Sequence, residues 1–199
     1  MLVGLVGLFV YVESAGDNPS GSADLVTADS HRLSEASDGR VTLVEFLDFE
    51  CPSCGQAFPA VEQLREEYDG RITYVVRNFP LPMHRNAENA AKAAEAAGLQ
   101  GKFEEMYLQL FRNQQSWGGG QDDRAETFVD YARQLGLDVE RFTSDLAGAE
   151  VERRVRTDVA AGEAARVIGT PTFFLNGERI SAPPSYQALK DAVDNALAG

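Results

Sequence analysis

Sulfur and imidazole are scarce in this chain: two cysteines and two histidines among 199 residues. Both cysteines fall in one C-x-x-C, Cys51-Pro-Ser-Cys54, so no framework of structural disulfides can be built. A structural zinc normally takes four ligands, and His31 and His84 lack ligand spacing to the pair, so no metal site is expected. Basic residues are also few. With 18 Lys and Arg against 31 Asp and Glu, the net charge is −13. No basic stripe is available for phosphates, which excludes nucleic acid as a partner and disfavours an anionic membrane surface. Acidity of this kind mainly keeps a protein soluble.

Long apolar runs are missing too. Met1 to Val12 is apolar throughout but shorter than the roughly 20 residues a spanning helix needs. No Lys or Arg precedes Arg32, so the basic n-region of a signal peptide is lacking. Residues 1–12 read as the remainder of a membrane anchor or export helix. Residues 13–30, rich in Ser, Gly, Asp and Asn, read as a flexible tether. An anchored, extracytoplasmic domain is the expectation. No internal repeat or low-complexity block interrupts the rest, and the chain's 44% hydrophobic content suits a globular protein.

What is present begins with a strand. In Val41-Thr-Leu-Val-Glu-Phe-Leu-Asp48, Val41, Leu43, Glu45 and Leu47 share one face, and Val44 and Phe46 the other. Two apolar faces predict a central strand covered on both sides. Glu45 then points into a hydrophobic layer, where burial would raise its pKa and let it exchange protons with the cysteine pair. A helix starts at Pro52, where the missing N–H costs nothing, and Pro59 should kink it. Cys51 therefore lies at a helix N-terminus, where unpaired N–H groups and the helix dipole favour a thiolate. Arg71 to Asn78 reads as a second strand, and His31 to Leu33 as a short edge strand.

From about Asn86 to Arg166 the periodicity is helical, with Gln114 to Gln121 expected as a loop. Strand chemistry then returns. Thr172 to Leu175 and Glu178 to Ser181 flank Asn176-Gly177, a primed-turn hairpin signal, and Ser185 caps a last helix. The order is βαβ, a helical block, then ββα.

This layout resembles the thioredoxin fold, an α/β fold with a mixed central sheet, and its inserted helices resemble the DsbA-like disulfide oxidoreductases. Four features carry the resemblance: the run from Val44 to Cys54, Glu45 six residues before Cys51, Pro59 five after Cys54, and Gly169-Thr-Pro-Thr-Phe-Phe174. Asn78-Phe-Pro-Leu-Pro-Met-His84 is similar to the membrane-anchored bacterial members. The resemblance implies thioredoxin-like halves at 31–82 and 169–199 around a helical subdomain at 83–168. It implies that Cys51 is the nucleophile, Cys54 the resolving thiol and Glu45 the buried acid. Pro52 and Ser53 form the active-site dipeptide, and Thr170 and Pro171 the substrate-binding loop. Only about 5–6% of X-Pro bonds are cis, yet the resemblance implies cis at Thr170–Pro171.

The implied function is an extracytoplasmic thiol-disulfide oxidoreductase with no cofactor beyond a Cys51–Cys54 disulfide. Its partners would be reduced or misfolded exported proteins and a membrane-embedded redox protein that recycles it. A reductase or isomerase runs the same chemistry in other directions. Related isomerases carry a separate dimerisation domain, which this sequence does not contain, so a monomer is expected. A carrier of a soft metal such as Cu(I) is the alternative from another class. Pro52, Phe79, Leu81, Met83 and Trp117 are candidates for an apolar groove, and His84 for a neighbour of the site. Ser53 stands where the strongest family oxidants carry His, which predicts a milder oxidant.

Overall fold

The computed structural model describes residues 25–181 and 185–199. The elements run β1 (His31–Ser34), β2 (Thr42–Leu47), α1 (Pro52–Glu67) and β3 (Thr73–Asn78). The inserted helices follow: α2 (Ala87–Gly98), α3 (Phe103–Arg112), α4 (Gln114–Trp117), α5 (Ala125–Gln134), α6 (Val139–Leu146) and α7 (Ala149–Ala164). The chain closes with β4 (Thr172–Leu175), β5 (Glu178–Arg179) and α8 (Tyr186–Ala198). The sheet order is β1-β3-β2-β4-β5. Only β2 and β3 pair in parallel; β1 with β3, β2 with β4, and β4 with β5 are antiparallel. This is a mixed-sheet thioredoxin fold with a helical insertion.

The alternation in β2 divides the core. Val41, Leu43 and Leu47 join one apolar cluster with Val61 and Leu64 of α1, residues of α2, α3, α5 and α6, and Leu189 of α8. Val44 and Phe46 join Val75, Phe79, Val167 and Phe174 on the other face, under Val159 and Ala161 of α7. There α7 comes close to the sheet. A Cβ on Gly162 would lie 2.6 Å from the Phe79 ring and 3.1 Å from Phe46, so only glycine fits. Asn176 and Gly177 both take positive φ, 48° and 87°, as the primed hairpin turn requires.

Polar groups fasten α7 and α2 to β3. Buried Asp158 accepts from Arg77 Nε at 2.6 Å and from the Asn78 backbone N–H at 2.9 Å. The Asn78 side-chain amide donates to Glu95 at 2.6 Å, and Glu95 also bonds His31 at 2.9 Å.

Three expectations need correction. Residues 25–30, placed in the tether, are folded down: Leu25 and Val26 pack on the second cluster, and Asp29 pairs with Arg154 at 2.5 Å. The expected loop at 114–121 opens with the short helix α4, whose Trp117 is buried and donates to the Leu110 carbonyl at 3.0 Å. A ring so placed is core, not groove. The last strand is shorter than expected, ending at Arg179. The apolar run 1–12 and residues 13–24 lie outside the described residues.

Candidate active site

The site forms where β2 ends and α1 begins. Cys51 is the N-cap of α1, in extended conformation at φ −64° and ψ 122°, and its carbonyl accepts the first helical bond from Gly55 N–H at 3.1 Å. Pro52 follows in the first turn and has no N–H to offer. The free amides of Ser53 and Cys54 can therefore turn toward the Cys51 sulfur. Both cysteines are free thiols. Cys51 is 6% exposed and Cys54 1%.

Their environments push the two sulfurs apart. Cys51 is drawn down to about 4, chiefly by the Cys54 thiol donating to it, against the cost of burial. The Thr170 hydroxyl and the Cys54 and Ser53 amides add to the effect. Cys54 moves the other way: burial raises it, and so do its bond to Cys51 and the Glu45 charge. One sulfur is thus poised as a thiolate and the other held as a thiol.

Thr170 and Pro171 face the pair from the loop before β4, and their peptide bond is cis. The Cys51 thiol donates to the Thr170 carbonyl at 3.4 Å. The Thr170 hydroxyl is buried without a hydrogen-bond partner among the described residues, which leaves it free to turn toward the thiolate. The Ser53 side chain is exposed, so its contribution to the thiolate comes from the backbone.

Glu45 lies beneath the pair on β2, 3% exposed. Burial pushes its carboxyl up to about 8; the Tyr74 hydroxyl, which donates to it, opposes that rise, and the Glu62 charge adds to it. The sequence pointed Glu45 into this layer, and its partner Tyr74 on β3 passed unnoticed as an ordinary strand residue.

Other residues carried no clear signal. Asp48 is buried and accepts from three donors: Glu50 N–H at 2.8 Å, Leu81 N–H at 2.9 Å and His84 Nδ1 at 2.6 Å. The Asp48 amide lies 3.5 Å from Cys54 Sγ. Burial lowers His84, but the hydrogen bond and charge of Asp48 outweigh it, with Cys51 and Glu50 adding, so its pKa rises above the usual 6.5. The acids at 48 and 50, so close to Cys51, were the available hint. Glu50 accepts from Asn86 N–H at 2.5 Å and Gly119 N–H at 3.0 Å. Gln114 of α4 donates to the carbonyls of Phe49 and Cys51 at 2.8 and 2.9 Å. It sits so close to α1 that a Cβ on Gly55 would lie 2.0 Å from its side-chain oxygen. The inserted helices therefore hold the active-site turn directly.

The apolar groove candidates separate. Phe79 is buried, Leu81 packs on the second cluster, and Pro52 is exposed beside Cys51. Met83 is 73% exposed, and so is Ile168 at 91%, a residue the sequence reading passed over. Cys51 and Cys54 are soft ligands by chemistry. Among the described residues no group of three or more His, Cys, Asp or Glu is placed to hold a metal ion.

A helix-capping cysteine, a sealed second thiol and a cis-proline loop at one end of a βαβ–ββα sheet define a dithiol protein of thioredoxin type. Comparison with known proteins agrees. A family model described as Thioredoxin matches residues 34–195, and the chain belongs to that family. A thioredoxin-like oxidoreductase from Silicibacter pomeroyi is 30% identical with a TM-score of 0.73, covering 89% of this chain and 97% of that one. The thiol-disulfide exchange protein α-DsbA2 of Wolbachia pipientis (23% identity, TM-score 0.71, 86% and 90% covered) shares the fold. So does BdbD of Bacillus subtilis, at 21% identity and a TM-score of 0.73, with 83% and 92% covered. The sheet and helical insertion are thus of DsbA-like form.

Among curated relatives, the Na(+)/H(+) antiporter NhaA 3 of Salinispora tropica is 41% identical over 174 residues, 87% of this chain and 26% of the antiporter. The antiporter NhaA 1 of Salinispora arenicola matches over the same shares, 87% and 26%, at 41% identity. The chain spans about a quarter of the length of these relatives. Among its described residues, no helix is long and apolar enough to cross a membrane.

Proposed function

We propose that this chain is an extracytoplasmic thiol-disulfide oxidoreductase that introduces disulfides into exported proteins through Cys51 and Cys54. The observation that carries the reading is the asymmetry of the pair: Cys51 drawn down to about 4 and Cys54 raised and sealed. A low-pKa thiol is a good leaving group, and stabilising the reduced form makes the disulfide more oxidising.

The reaction balances without a cofactor. A substrate thiolate attacks Cys51 Sγ in the oxidised protein, forming a mixed disulfide. The Cys51–Cys54 bond breaks and its electron pair goes to Cys54, which takes a proton from Glu45. A second substrate thiolate then attacks the substrate sulfur and expels Cys51 as a thiolate. The substrate has lost two electrons and gained a disulfide; the protein holds one thiolate and one thiol. A membrane-embedded redox partner takes the two electrons and restores the Cys51–Cys54 bond.

The cis-proline loop offers its Thr170 carbonyl and amide to an extended chain, as strand pairing does at a sheet edge. Met83 and Ile168 stand on the two loops that carry His84 and Thr170, and give unfolded substrates apolar contact without sequence preference. The Wolbachia protein is a thiol-disulfide exchange protein and the Bacillus protein has an oxidised form, which supports the same chemistry.

Reductase or isomerase activity is the competing direction. Ser53 in place of a histidine favours a milder oxidant, while the neutral donors around Cys51 still supply a stable thiolate. The expected potential lies above about −200 mV and below the −120 mV or so of the strongest oxidant. Equilibration with glutathione measures it, and a value near −270 mV, as in thioredoxin, would reverse the direction. Oxidation of a reduced test protein should be lost in Cys51→Ser. A variant that still oxidised at the parent rate would remove Cys51 from the mechanism.

A further inference from the structure

The turn that carries Cys51 is held from outside its own element. Phe49, Glu50 and Cys51 follow one another between β2 and α1, and one short segment of the insertion bonds all three. The Gln114 side-chain nitrogen donates to the Phe49 carbonyl at 2.8 Å and to the Cys51 carbonyl at 2.9 Å. The Gly119 N–H donates to the Glu50 carboxylate at 3.0 Å. Two carbonyl oxygens facing one terminal group fix its orientation, because only the NH2 end of the amide has a donor for each.

Gln114 is itself anchored. It opens α4, and Trp117 one turn later is buried, meets Phe128 edge-on at 5.0 Å and donates to the Leu110 carbonyl at 3.0 Å. The Gly118 N–H closes the turn on the Gln114 carbonyl at 2.7 Å. On its other side the Gln114 amide presses on α1. A Cβ on Gly55 would stand 2.8 Å from the amide carbon and 3.1 Å from its nitrogen. The amide thus fills the place that a side chain at 55 would take.

The bonded carbonyls bear on the sulfur because of where they sit. The Cys51 carbonyl is the first acceptor of α1, taking the Gly55 N–H at 3.1 Å. Cys51 keeps the extended N-cap conformation, with φ −64° and ψ 122°. A residue held in this way keeps its side chain at the positive end of the helix, beside amides that have no intrahelical acceptor. The two carbonyl oxygens are negative ends of dipoles, and an N–H on each offsets them.

We propose that Gln114 is a positioning residue for the exchange reaction: by holding the Phe49 and Cys51 carbonyls it keeps the Cys51 sulfur at the N-terminus of α1 and strengthens it as a leaving group. The inference rests on the reaction proposed above and adds to it a residue 63 positions away in sequence that tunes it. Gln114 acts through the turn. When the second substrate thiolate attacks the mixed disulfide, the S–S bond breaks and its electron pair leaves with Cys51. A better-stabilised thiolate leaves more readily and makes the Cys51–Cys54 bond more oxidising. Loss of the Gln114 amide therefore shifts the protein toward a weaker oxidant.

Two variants reach the same amide from opposite sides. Gln114→Ala removes it. Gly55→Ala keeps Gln114 but puts a methyl where its amide stands, at a helical position where Ala is otherwise favoured over Gly. Neither change adds or removes a charge. The titratable groups around Cys51 all stay: Cys54 on α1, Glu45 on β2, Asp48 and Glu50 in the turn, and His84 in the loop after β3.

The pH midpoint of Cys51 alkylation in the reduced protein should rise by at least about half a unit in each variant, roughly threefold in the thiol–thiolate equilibrium, the scale of one or two lost hydrogen bonds. Equilibration with glutathione should find both less oxidising than the parent. The double variant should shift no further than the larger single one, because both act on one contact. A residue that only supports the fold would lower the urea midpoint and leave the alkylation midpoint unmoved. That result, or a double shift equal to the sum of the singles, would overturn the proposal. If Gln114→Ala does not fold, the midpoint of Gly55→Ala decides alone. Exchange activity of the parent is measured on the same preparation. An inactive parent whose alkylation midpoint still depends on Gln114 would strike the proposed function and leave the positioning of Cys51 standing.

Discussion

Two of the buried carboxyls, Asp158 and Glu45, lie on opposite sides of the sheet and are held in opposite ways. Asp158 reaches from α7 to β3, where Arg77 and the Asn78 amide bond it. Burial pushes its pKa up, and the charges of Arg77 and Arg154 pull it back. Glu45 meets no such cation; its donor is the neutral hydroxyl of Tyr74. An acid locked to a guanidinium is part of the scaffold, because losing its proton-bound alternatives is what fixes it. An acid beside a phenol can take up and give back a proton with little rearrangement. The partner, more than the burial, separates a structural carboxylate from a chemical one.

The comparison breaks most severely at Asp158. Asp158→Ala leaves the Arg77 guanidinium buried without its carboxylate and should cost about 3–5 kcal/mol, read as a lower urea midpoint. Exchange activity per folded molecule should hardly change, because Asp158 lies away from the sulfurs.

Glu45→Gln acts in the other direction. A folded value of about 8 against the ordinary 4.5 means the native state binds more protons than the unfolded chain between those limits. The Glu45 carboxyl therefore makes stability fall as pH rises from 4.5 to 8. The amide has no such dependence. Its advantage should be absent near pH 4.5 and reach about 2 kcal/mol at pH 7, allowing for one poorly paired N–H. Urea melts at the two pH values give the difference, and a pH-independent gap would show that Glu45 keeps an ordinary pKa. Exchange should slow in the same variant, so stability and activity move oppositely.

The smallest effect belongs to His84, a third kind of pair, in which Asp48 holds an imidazole beside the thiolate. His84→Ala should raise the pH midpoint of Cys51 alkylation by about half a unit, roughly 0.7 kcal/mol. The effect should be full below the raised His84 pKa and fade above it. An unchanged midpoint would limit His84 to shaping the loop.

The strand order and the position of Glu45 could be read early, because alternation in β2 is a local pattern with a two-residue period. The cysteine pair was legible for the same reason: strand end, Pro52 and helical spacing are neighbours in sequence. Glu50, Asp48 and Gln114 were not, since the bonds that place them reach residues 33 or more positions away. Tyr74 reads as a generic strand residue and Trp117 as a groove candidate, and only tertiary contacts distinguish a buried hydrogen-bond donor from a surface ring. Leu25 and Val26 misled in the opposite sense: two apolar residues among polar ones look like linker until a core accepts them.

The grip of the insertion on the active-site turn has a practical corollary for protein engineers. Excising the helical subdomain, residues 83–168, to reach a minimal redox scaffold would strip the Phe49 and Cys51 carbonyls of the Gln114 amide. It would also strand the Glu50 carboxylate, whose two backbone donors both lie in the excised part. A miniature of this domain would keep its cysteines and lose the bracing that aims them.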